Sequence, residues 1–342
     1  MTPVELSRTV LRAVCSAVDD GRLSVAVPEK ALVTVPGPGG CGDYATNIAL
    51  QLARPAGCPP RRVAEVLQPY LARSAGVTAV DITGPGFLNI SLDRDAASVA
   101  LVRRILREGA GYGHSDALAG RVVRLRIPYE VRAEAVADAL VRIVGSQGGR
   151  VEVEHGEPAD LRPVPAPEDP TPLGRDAARW ALLHPAPHDR PRISADHLVQ
   201  REGNPLFRVR YAHARTRALM RNGADLGFGP EPGPVGDTEA HPAVLAVLAD
   251  HPRVLAAAAA AAAAATTTTG ATTAELGGGP SRVARHLLGL ADATLPFLSA
   301  VLPVGDEKPS AAHRARLALA EAAGTVLAGG LSLLGIDAPD HL

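Results

Sequence analysis

Apolar residues follow two different periodicities in the first third of the chain. At the start they recur every three or four positions, which predicts a helix over 1–18: Leu6, Val10, Leu11, Val14 and Val18. The pattern then predicts a strand at 32–35, helices at 45–53 and 60–74, strands at 77–82 and 87–92, and a helix at 96–108. The last two strands flank Gly84-Pro85-Gly86 and predict a hairpin. Residues 1–115 are therefore predicted to form an α+β domain.

Beyond residue 115 the sequence pattern divides the chain into three further segments. Residues 116–155 carry a single strand–helix–strand pattern, with strands at 122–127 and 150–153 around a helix at 133–144. Residues 156–174 are dense in Pro, Glu and Asp and predict a linker. Beyond Arg175 nearly every segment has helical spacing. The predicted fold class is an α+β N-terminal domain, a small truncated βαβ unit and an all-α C-terminal helical bundle over 175–342.

One low-complexity stretch interrupts the helical part. Residues 256–265 are all alanine and are followed by four threonines. This composition predicts an Ala-rich surface helix with a loose tail. Its side chains are too small to predict a membrane span, so we expect no membrane partner.

Composition narrows the possible functions without choosing one. Hydrophobic residues make up 46% of the chain but aromatics only 3%, so the cores must rest on alanine, leucine and valine. The formal net charge of -1 weighs against strong non-specific binding to nucleic acid, but it does not exclude a local basic face. Arginine supplies nearly all the positive charge, because Lys30 and Lys308 are the only lysines.

Cysteine and histidine spacing gives no clear metal or disulfide site. The spacing of the cysteines shows no disulfide pattern, which suits a reducing cytoplasm. We expect all three, Cys15, Cys41 and Cys58, to be buried as small hydrophobic side chains. His184, His188 and His197 lie near two aspartates and could be metal ligands by composition. However, prolines 185 and 187 break any regular spacing between them. We expect no metal and a cytoplasmic location.

The segment 204–222 carries the densest positive charge in the chain. It contains five arginines and no acidic residue, and its apolar stripe predicts one face buried in a bundle. Tyr211 lies among the arginines, and aromatic stacking complements phosphate contacts. His213 is interpreted as a packing or hydrogen-bonding residue. The candidate RNA-binding residues here are Arg208, Arg210, Tyr211, Arg215, Arg217 and Arg221. The alternative is a solvated face neutralised by acids elsewhere.

Several segments resemble arginyl-tRNA synthetases. They are GDYATNIA at 42–49, GPGFLNI at 84–90, DAARW at 176–180, NPLFRVRYAHAR at 204–215 and LLGIDAP at 333–339. The third is similar to the Asp-Ala-Leu-Arg signature of the family's anticodon-binding domain, with alanine in place of leucine. The fourth is the most specific match. In the first segment, the resemblance implies a turn that meets a helix start, where Asp43 could accept amide hydrogens.

The resemblance also implies where RNA would be contacted. In the family, the strand equivalent to 87–92 presents an aromatic side chain and an asparagine to the D-loop corner of tRNA. Phe87 and Asn89 occupy those positions and would share one face of a strand. Phe87 could stack on an unpaired base while Asn89 reads its edge. A hairpin with Phe87 in the core is the alternative. The implied partner is a tRNA, with arginine tRNA as the first expectation.

The catalytic signatures of the family are missing from the sequence. Class I synthetases hold ATP with a His-x-Gly-His element and a Lys-Met-Ser-Lys-like loop, which stabilise the charge on the phosphates. The region 121–143 resembles the family's first strand and following helix, but Glu130 falls where the second histidine would be. We therefore expect no catalytic residue and no cofactor.

Three functional hypotheses follow. The leading one is a non-catalytic tRNA-binding protein of arginyl-tRNA synthetase descent. The second is a protein-interaction module on the same scaffold, with a protein partner; the loss of aromatics in 284–298 and the neutral total charge favour it. The third is an enzyme with a rebuilt site, which would keep the family's arginine–tRNA ligase label.

Overall fold

The computed structural model describes residues 3–37, 39–236, 240–265 and 273–342. The chain divides into two compact units, residues 1–100 and 101–342. The division falls inside a helix and before the boundary at 115 that the sequence predicted. The second unit combines the predicted βαβ segment, linker and helical bundle. The fold class itself is confirmed: an α+β unit precedes a mainly helical one.

The first unit packs three helices on a four-stranded antiparallel sheet. Its elements are α1 (Pro3–Asp19), β1 (Val33–Thr34), β2 (Tyr44–Thr46), α2 (Ile48–Ala56), α3 (Pro60–Ala72), β3 (Val77–Thr83) and β4 (Phe87–Leu92). The strand order is β1-β2-β4-β3. Leu88 and Ile90 alternate along β4 and are fully buried against the apolar faces of the helices. The other face of β4 therefore carries Phe87 and Asn89.

A tight turn fixes the start of β4. Gly86 adopts a φ of +143°, and a Cβ there would lie 2.8 Å from the backbone carbon of Pro60. Glycine is required because a side chain would be strained and would also collide with the start of α3. The predicted hairpin of β3 and β4 is thus confirmed. Its tip rests on the N-terminus of α3.

The sequence prediction for residues 42–47 was wrong in one respect. Residues 44–46 form β2, which pairs with β4, and the helix α2 begins only at Ile48. Asp43 does not cap that helix; its Oδ2 accepts a hydrogen bond from the backbone N–H of Leu92 at 2.8 Å. The carboxylate therefore joins β2 to the end of β4.

The second unit shares one apolar core among all its elements. They are β5 (Val122–Ile127), α5 (Val131–Gly145), β6 (Arg150–His155), α6 (Gly174–Leu183), α7 (Pro205–Asp225), α8 (His241–Ala265), α9 (Thr273–Phe297) and α10 (Ala311–Leu333), preceded by α4 (Arg94–Glu108), which begins in the first unit. β5 and β6 pair in parallel, as the βαβ pattern predicts. The segment predicted as a linker packs on the unit, since Leu161 within it is fully buried.

The alanine-rich run was wrongly predicted as a surface helix. It forms the second half of α8, where Ala258, Ala259 and Ala262 are fully buried. α9 approaches closely: a Cβ on Gly279 would lie 3.0 Å from the carbonyl oxygen of Ala258. By length and composition α8 could cross a membrane, a property that it shares with core helices. The four threonines that follow lie outside the described residues.

Candidate nucleic-acid interface

Local sequence signals set the orientation of α7. The side chain of Asn204 caps the helix by accepting the N–H of Leu206 at 3.1 Å, and Pro205 occupies the first turn. Val209, Ala212 and Thr216 are buried against the rest of the bundle, as their spacing predicts. The arginines are therefore held on the outer side of the helix.

One stripe of α7 is open to solvent. We call Arg208, Tyr211 and Arg215 the open stripe. Tyr211 is 39% exposed and stacks on Phe207, with ring centroids 5.4 Å apart. Arg215 is exposed and has no ion pair within the described part of the chain. Arg208 forms an ion pair with Asp292 of α9. An aromatic pair between two guanidinium groups can stack a base and bind phosphates.

The arginines of a second stripe of α7 contact a distant segment of the chain, although the side chains of Arg217 and Arg221 stay exposed. We call Arg210, Arg217 and Arg221 the covered stripe. Nε of Arg210 donates to the carbonyl oxygen of Asp337 at 3.0 Å, and Nε of Arg217 lies 3.2 Å from Oδ1 of Asp340. Nη2 of Arg221 lies 3.3 Å from Nδ1 of His341. Helical spacing in the sequence already places the two stripes on separate flanks of the helix, but it could not predict which flank contacts the protein, because these partners lie more than a hundred residues away.

His213 lies between these arginines and is only 4% exposed. Its Nδ1 is 3.1 Å from the carbonyl oxygen of Pro339, which agrees with the predicted hydrogen-bonding role. Burial lowers the pKa of the imidazole, while the carbonyl of Pro339 and the nearby Asp340 act in the opposite direction. The residue thus joins α7 to the segment that covers it.

The residues of the Asp-Ala-Ala-Arg segment make structural contacts. Asp176 pairs with Arg210, and Nε of Arg179 donates to the carbonyl oxygen of Leu334 at 2.9 Å. Arg179 also pairs with Asp138 of α5. A cavity of about 330 Å³ lies beside them, between the starts of α6 and α7. Its lining includes the exposed side chains of Leu198 and Val199.

The two hairpin residues predicted to contact RNA, Phe87 and Asn89, differ in their exposure to solvent. Phe87 is 38% exposed at the start of β4, so it does not lie in the core. Asn89 is only 1% exposed, and its Nδ2 donates to Oγ1 of Thr83 at 2.7 Å. The predicted contact between Asn89 and a base does not fit this structure, because the amide is buried and Gly40 packs against it. A Cβ on Gly40 would lie 3.0 Å from Oδ1 of Asn89.

Two exposed arginines beside the hairpin were not among the residues predicted from the sequence to contact RNA. Arg61 and Arg62 begin α3, where the backbone touches Gly86, and their side chains are 67% and 65% exposed. Both lie near a single carboxylate, Glu65, at 3.8 and 3.1 Å. The signal was available in the sequence as adjacent arginines at a helix start. They add positive charge beside the exposed ring of Phe87.

Glu130 is the residue that falls, by the resemblance, where the second histidine of the family's signature would stand. It lies just beyond β5 and caps α5: its Oε2 accepts the N–H of Ala133 at 2.9 Å. Its Oε1 accepts the N–H of Ala166 at 3.3 Å. A helix N-terminus is a general anion site, and here the chain fills it with its own carboxylate.

The histidines and cysteines form no metal site within the described residues, where no group of three possible ligands is close enough. His184 stacks on Trp180 with ring centroids 5.2 Å apart, and His197 is 2.9 Å from the carbonyl oxygen of Arg192. The prediction of buried cysteines was wrong for Cys41, which is exposed. Its Sγ lies 3.7 Å from Oδ2 of Asp81 on β3.

Comparisons with known proteins match both ends of the chain. Residues 6–92 match the family described as "Arginyl tRNA synthetase N terminal domain" and residues 209–342 the "DALR anticodon binding domain". The arginine–tRNA ligase of Renibacterium salmoninarum is 44% identical over 168 residues, covering 45% of this chain and 30% of the relative. That of Kineococcus radiotolerans is 37% identical over 239 residues, covering 60% and 43%.

The matched regions thus span less than half the length of these relatives. Among solved structures, Thermus thermophilus arginyl-tRNA synthetase aligns over 100% of both chains with a TM-score of 0.57 and 15% identity, which shows a shared fold. The two family matches and the two relatives carry the assignment. The chain is related to the arginyl-tRNA synthetases and carries their N-terminal domain and their DALR anticodon-binding domain.

Proposed function

We propose that this protein binds tRNA without aminoacylating it. In this proposal the open stripe of α7 contacts the anticodon arm, and Phe87 contacts the D-loop corner. Arginine tRNA is the first candidate partner. Asn89 supports the hairpin from inside and does not read a base.

The observation that carries the proposal is the open stripe. Tyr211 and Phe207 offer a stacked aromatic surface, and Arg215 stands beside it without an internal acid among the described residues. Such a surface suits unpaired bases, because every base has a face that can stack while guanidinium groups bind the neighbouring phosphates. The DALR match covers this helix from residue 209 onward.

Glu130 supports the absence of catalysis. A nucleotide phosphate at the start of α5 would meet the carboxylate that already accepts the N–H of Ala133. The two negative charges would repel each other at short range. The βαβ segment also holds no lysine that could bind a phosphate, since the chain's lysines are Lys30 and Lys308.

Direct RNA binding tests the first half of the proposal. A mobility-shift titration with purified arginine tRNA should show binding that weakens as salt rises, because each phosphate contact releases counterions. Arg215→Ala should flatten the salt dependence, and Tyr211→Leu should weaken binding about tenfold, the effect of losing one base stack of 1–3 kcal/mol. Arg253→Ala is the matched control: it removes an exposed arginine from α8, where its side chain is 74% exposed. Equal effects of Arg215→Ala and Arg253→Ala would contradict the proposed surface.

Arginine-dependent ATP–pyrophosphate exchange tests the second half. We expect no exchange above a heat-inactivated control. A Glu130→Ala variant should also be inactive, because removing the carboxylate does not supply the missing histidine. Exchange by the purified protein that is lost in Glu130→Ala would contradict the non-catalytic proposal and favour an arginine–tRNA ligase with a rebuilt site.

A protein-interaction module is the second candidate. It is favoured by the exposed side chains of Leu198 and Val199 beside the cavity, and by the acids that neutralise most of the arginines of α7. Purification from the native cell separates the two candidates. A stoichiometric protein partner without RNA would support the module and contradict tRNA binding.

A further inference from the structure

The segment 337–341 follows the covered stripe residue by residue. Moving along α7, the partners of Arg210, His213, Arg217 and Arg221 are Asp337, Pro339, Asp340 and His341 in that order. Residues 337–340 therefore run beside the helix in the same direction, and the chain bends at Asp340. Its polar groups meet side chains that lie three or four positions apart, which is one stripe of a helix.

The segment is held firmly at one end and weakly at the other. Ile336 is 2% exposed and belongs to the core, and Ala338 packs partly against it. Further along, the side chains of Arg217 and Asp340 are 44% and 53% exposed. Exposed ion pairs of this kind are weak and are screened by salt. The far end can therefore leave the helix without disturbing the core.

The arginines differ in what would remain after the segment leaves. Arg210 would keep Asp176, and this pair is well covered, with side-chain exposures of 20% and 17%. Arg217 and Arg221, which are already exposed, would lose their contacts to Asp340 and His341. Two guanidinium groups would become available one helical turn apart, next to the open stripe.

We infer that segment 337–341 competes with RNA for the covered stripe, so that Asp340 holds Arg217 in place of a phosphate. This inference rests on the proposed tRNA binding and adds an internal regulation to it. A bound tRNA would first use the open stripe and would gain Arg217 and Arg221 when it displaces the segment. Affinity is then set partly by the segment and not by the RNA surface alone.

Two matched pairs of variants test the competition in the full-length protein. Asp340→Asn weakens the contact, and Asp340→Arg replaces attraction by repulsion. Asp306→Asn and Asp306→Arg make the same charge changes in the exposed loop between α9 and α10. Each variant is titrated with purified arginine tRNA at several salt concentrations. Trp180 fluorescence in urea verifies that each variant is folded.

The expected gain is modest because the broken contact is an exposed ion pair. Asp340→Asn should tighten tRNA binding about two- to fivefold relative to Asp306→Asn. Its slope of log affinity against log salt should steepen by up to about 0.9, because in the wild type salt also weakens the competing pair of Arg217 and Asp340. Asp340→Arg should exceed Asp306→Arg in the same two quantities.

The outcomes separate this inference from the proposed function. Wild-type binding that Asp340→Asn leaves unchanged or weakens would overturn the competition while leaving tRNA binding intact. Weakening would mean that the segment itself contacts RNA. If neither the wild type nor any variant binds tRNA at low salt, the proposed function fails and the inference fails with it.

Discussion

Arg132 offers the sharpest test of how the second unit is held together. Arg132 is 1% exposed. Its guanidinium donates hydrogen bonds to five backbone carbonyls from three stretches of the chain. The acceptors and distances are Leu182 at 3.0 Å, Val164 at 2.7 Å, Asp189 at 2.7 Å, Pro185 at 3.2 Å and Ala186 at 2.8 Å. Desolvation by burial lowers the pKa of Arg132. One side chain of α5 thus fixes both the 156–174 segment and the loop after α6.

The cost of removing this side chain can be worked from its acceptors. Each carbonyl left without a donor in a buried site costs about 1–3 kcal/mol. Five acceptors at the lower limit give about 5 kcal/mol. Part of this is recovered because water can reach some of them and because the buried cation no longer has to be desolvated. We expect Arg132→Met to destabilise the second unit by about 3 kcal/mol, and Arg132→Lys by about 2 kcal/mol, since lysine has fewer donors.

Urea unfolding followed by tryptophan fluorescence measures this directly. Trp180 is the only tryptophan in the chain and is fully buried in α6, close to the acceptor Leu182. Arg124→Met serves as the control, because its side chain is 80% exposed on β5 and should change stability by less than about 0.5 kcal/mol. A change of less than about 1 kcal/mol for Arg132→Met would refute the reasoning, since it would mean that the carbonyls find equivalent partners without the guanidinium.

Three further predictions concern pH, the hairpin and the sheet. Burial lowers the pKa of His251 to about 3, so the unfolded chain takes up a proton below its ordinary value of 6.5 while the folded chain does not. The free energy of unfolding should therefore be highest above pH 6.5 and should fall by about 2 kcal/mol by pH 5. The urea midpoints of the wild type and of His251→Phe should diverge over this pH range. Midpoints that change in parallel would contradict the lowered pKa of His251. Gly86→Ala should lower the free energy of unfolding of the first unit by about 1–3 kcal/mol, because φ is +143° and Pro60 leaves no room for the new Cβ. Gly57→Ala is the control in thermal unfolding: its φ is also positive, but its Cβ would meet nothing, so it reports backbone strain without the collision. Asn89→Ala should cost about 1 kcal/mol by removing the bond to Thr83 but leave tRNA affinity within about twofold; a loss of affinity as large as that of Phe87→Ala in a folded variant would restore Asn89 as a contact residue.

Local signals sufficed wherever neighbouring residues decide the structure. The cap at Asn204, the proline that follows it and the buried stripe with Val209 all lie within one helix, so α7 could be predicted well. The hairpin was predictable for the same reason, since its turn lies between adjacent strands.

Distant contacts decided what could not be predicted. Residues 44–46 form a strand because they pair with β4, more than forty positions away, although their sequence suits a helix start. Asn89 is buried by a turn that the strand pattern does not include. Arg215 and Arg217 look alike in the sequence, yet Asp340 lies beside only the second of them among the described residues. Candidate residue types were visible, but their availability depends on tertiary structure.

The cap of α5 also bears on the history of this chain. If an ancestor carried a histidine where Glu130 now stands, its replacement gave Ala133 a new acceptor and joined the helix to residue 166. Restoring the histidine alone would remove that acceptor at a cost of about 1 kcal/mol of folding stability. A single-step reversion would therefore lower the stability of the second unit.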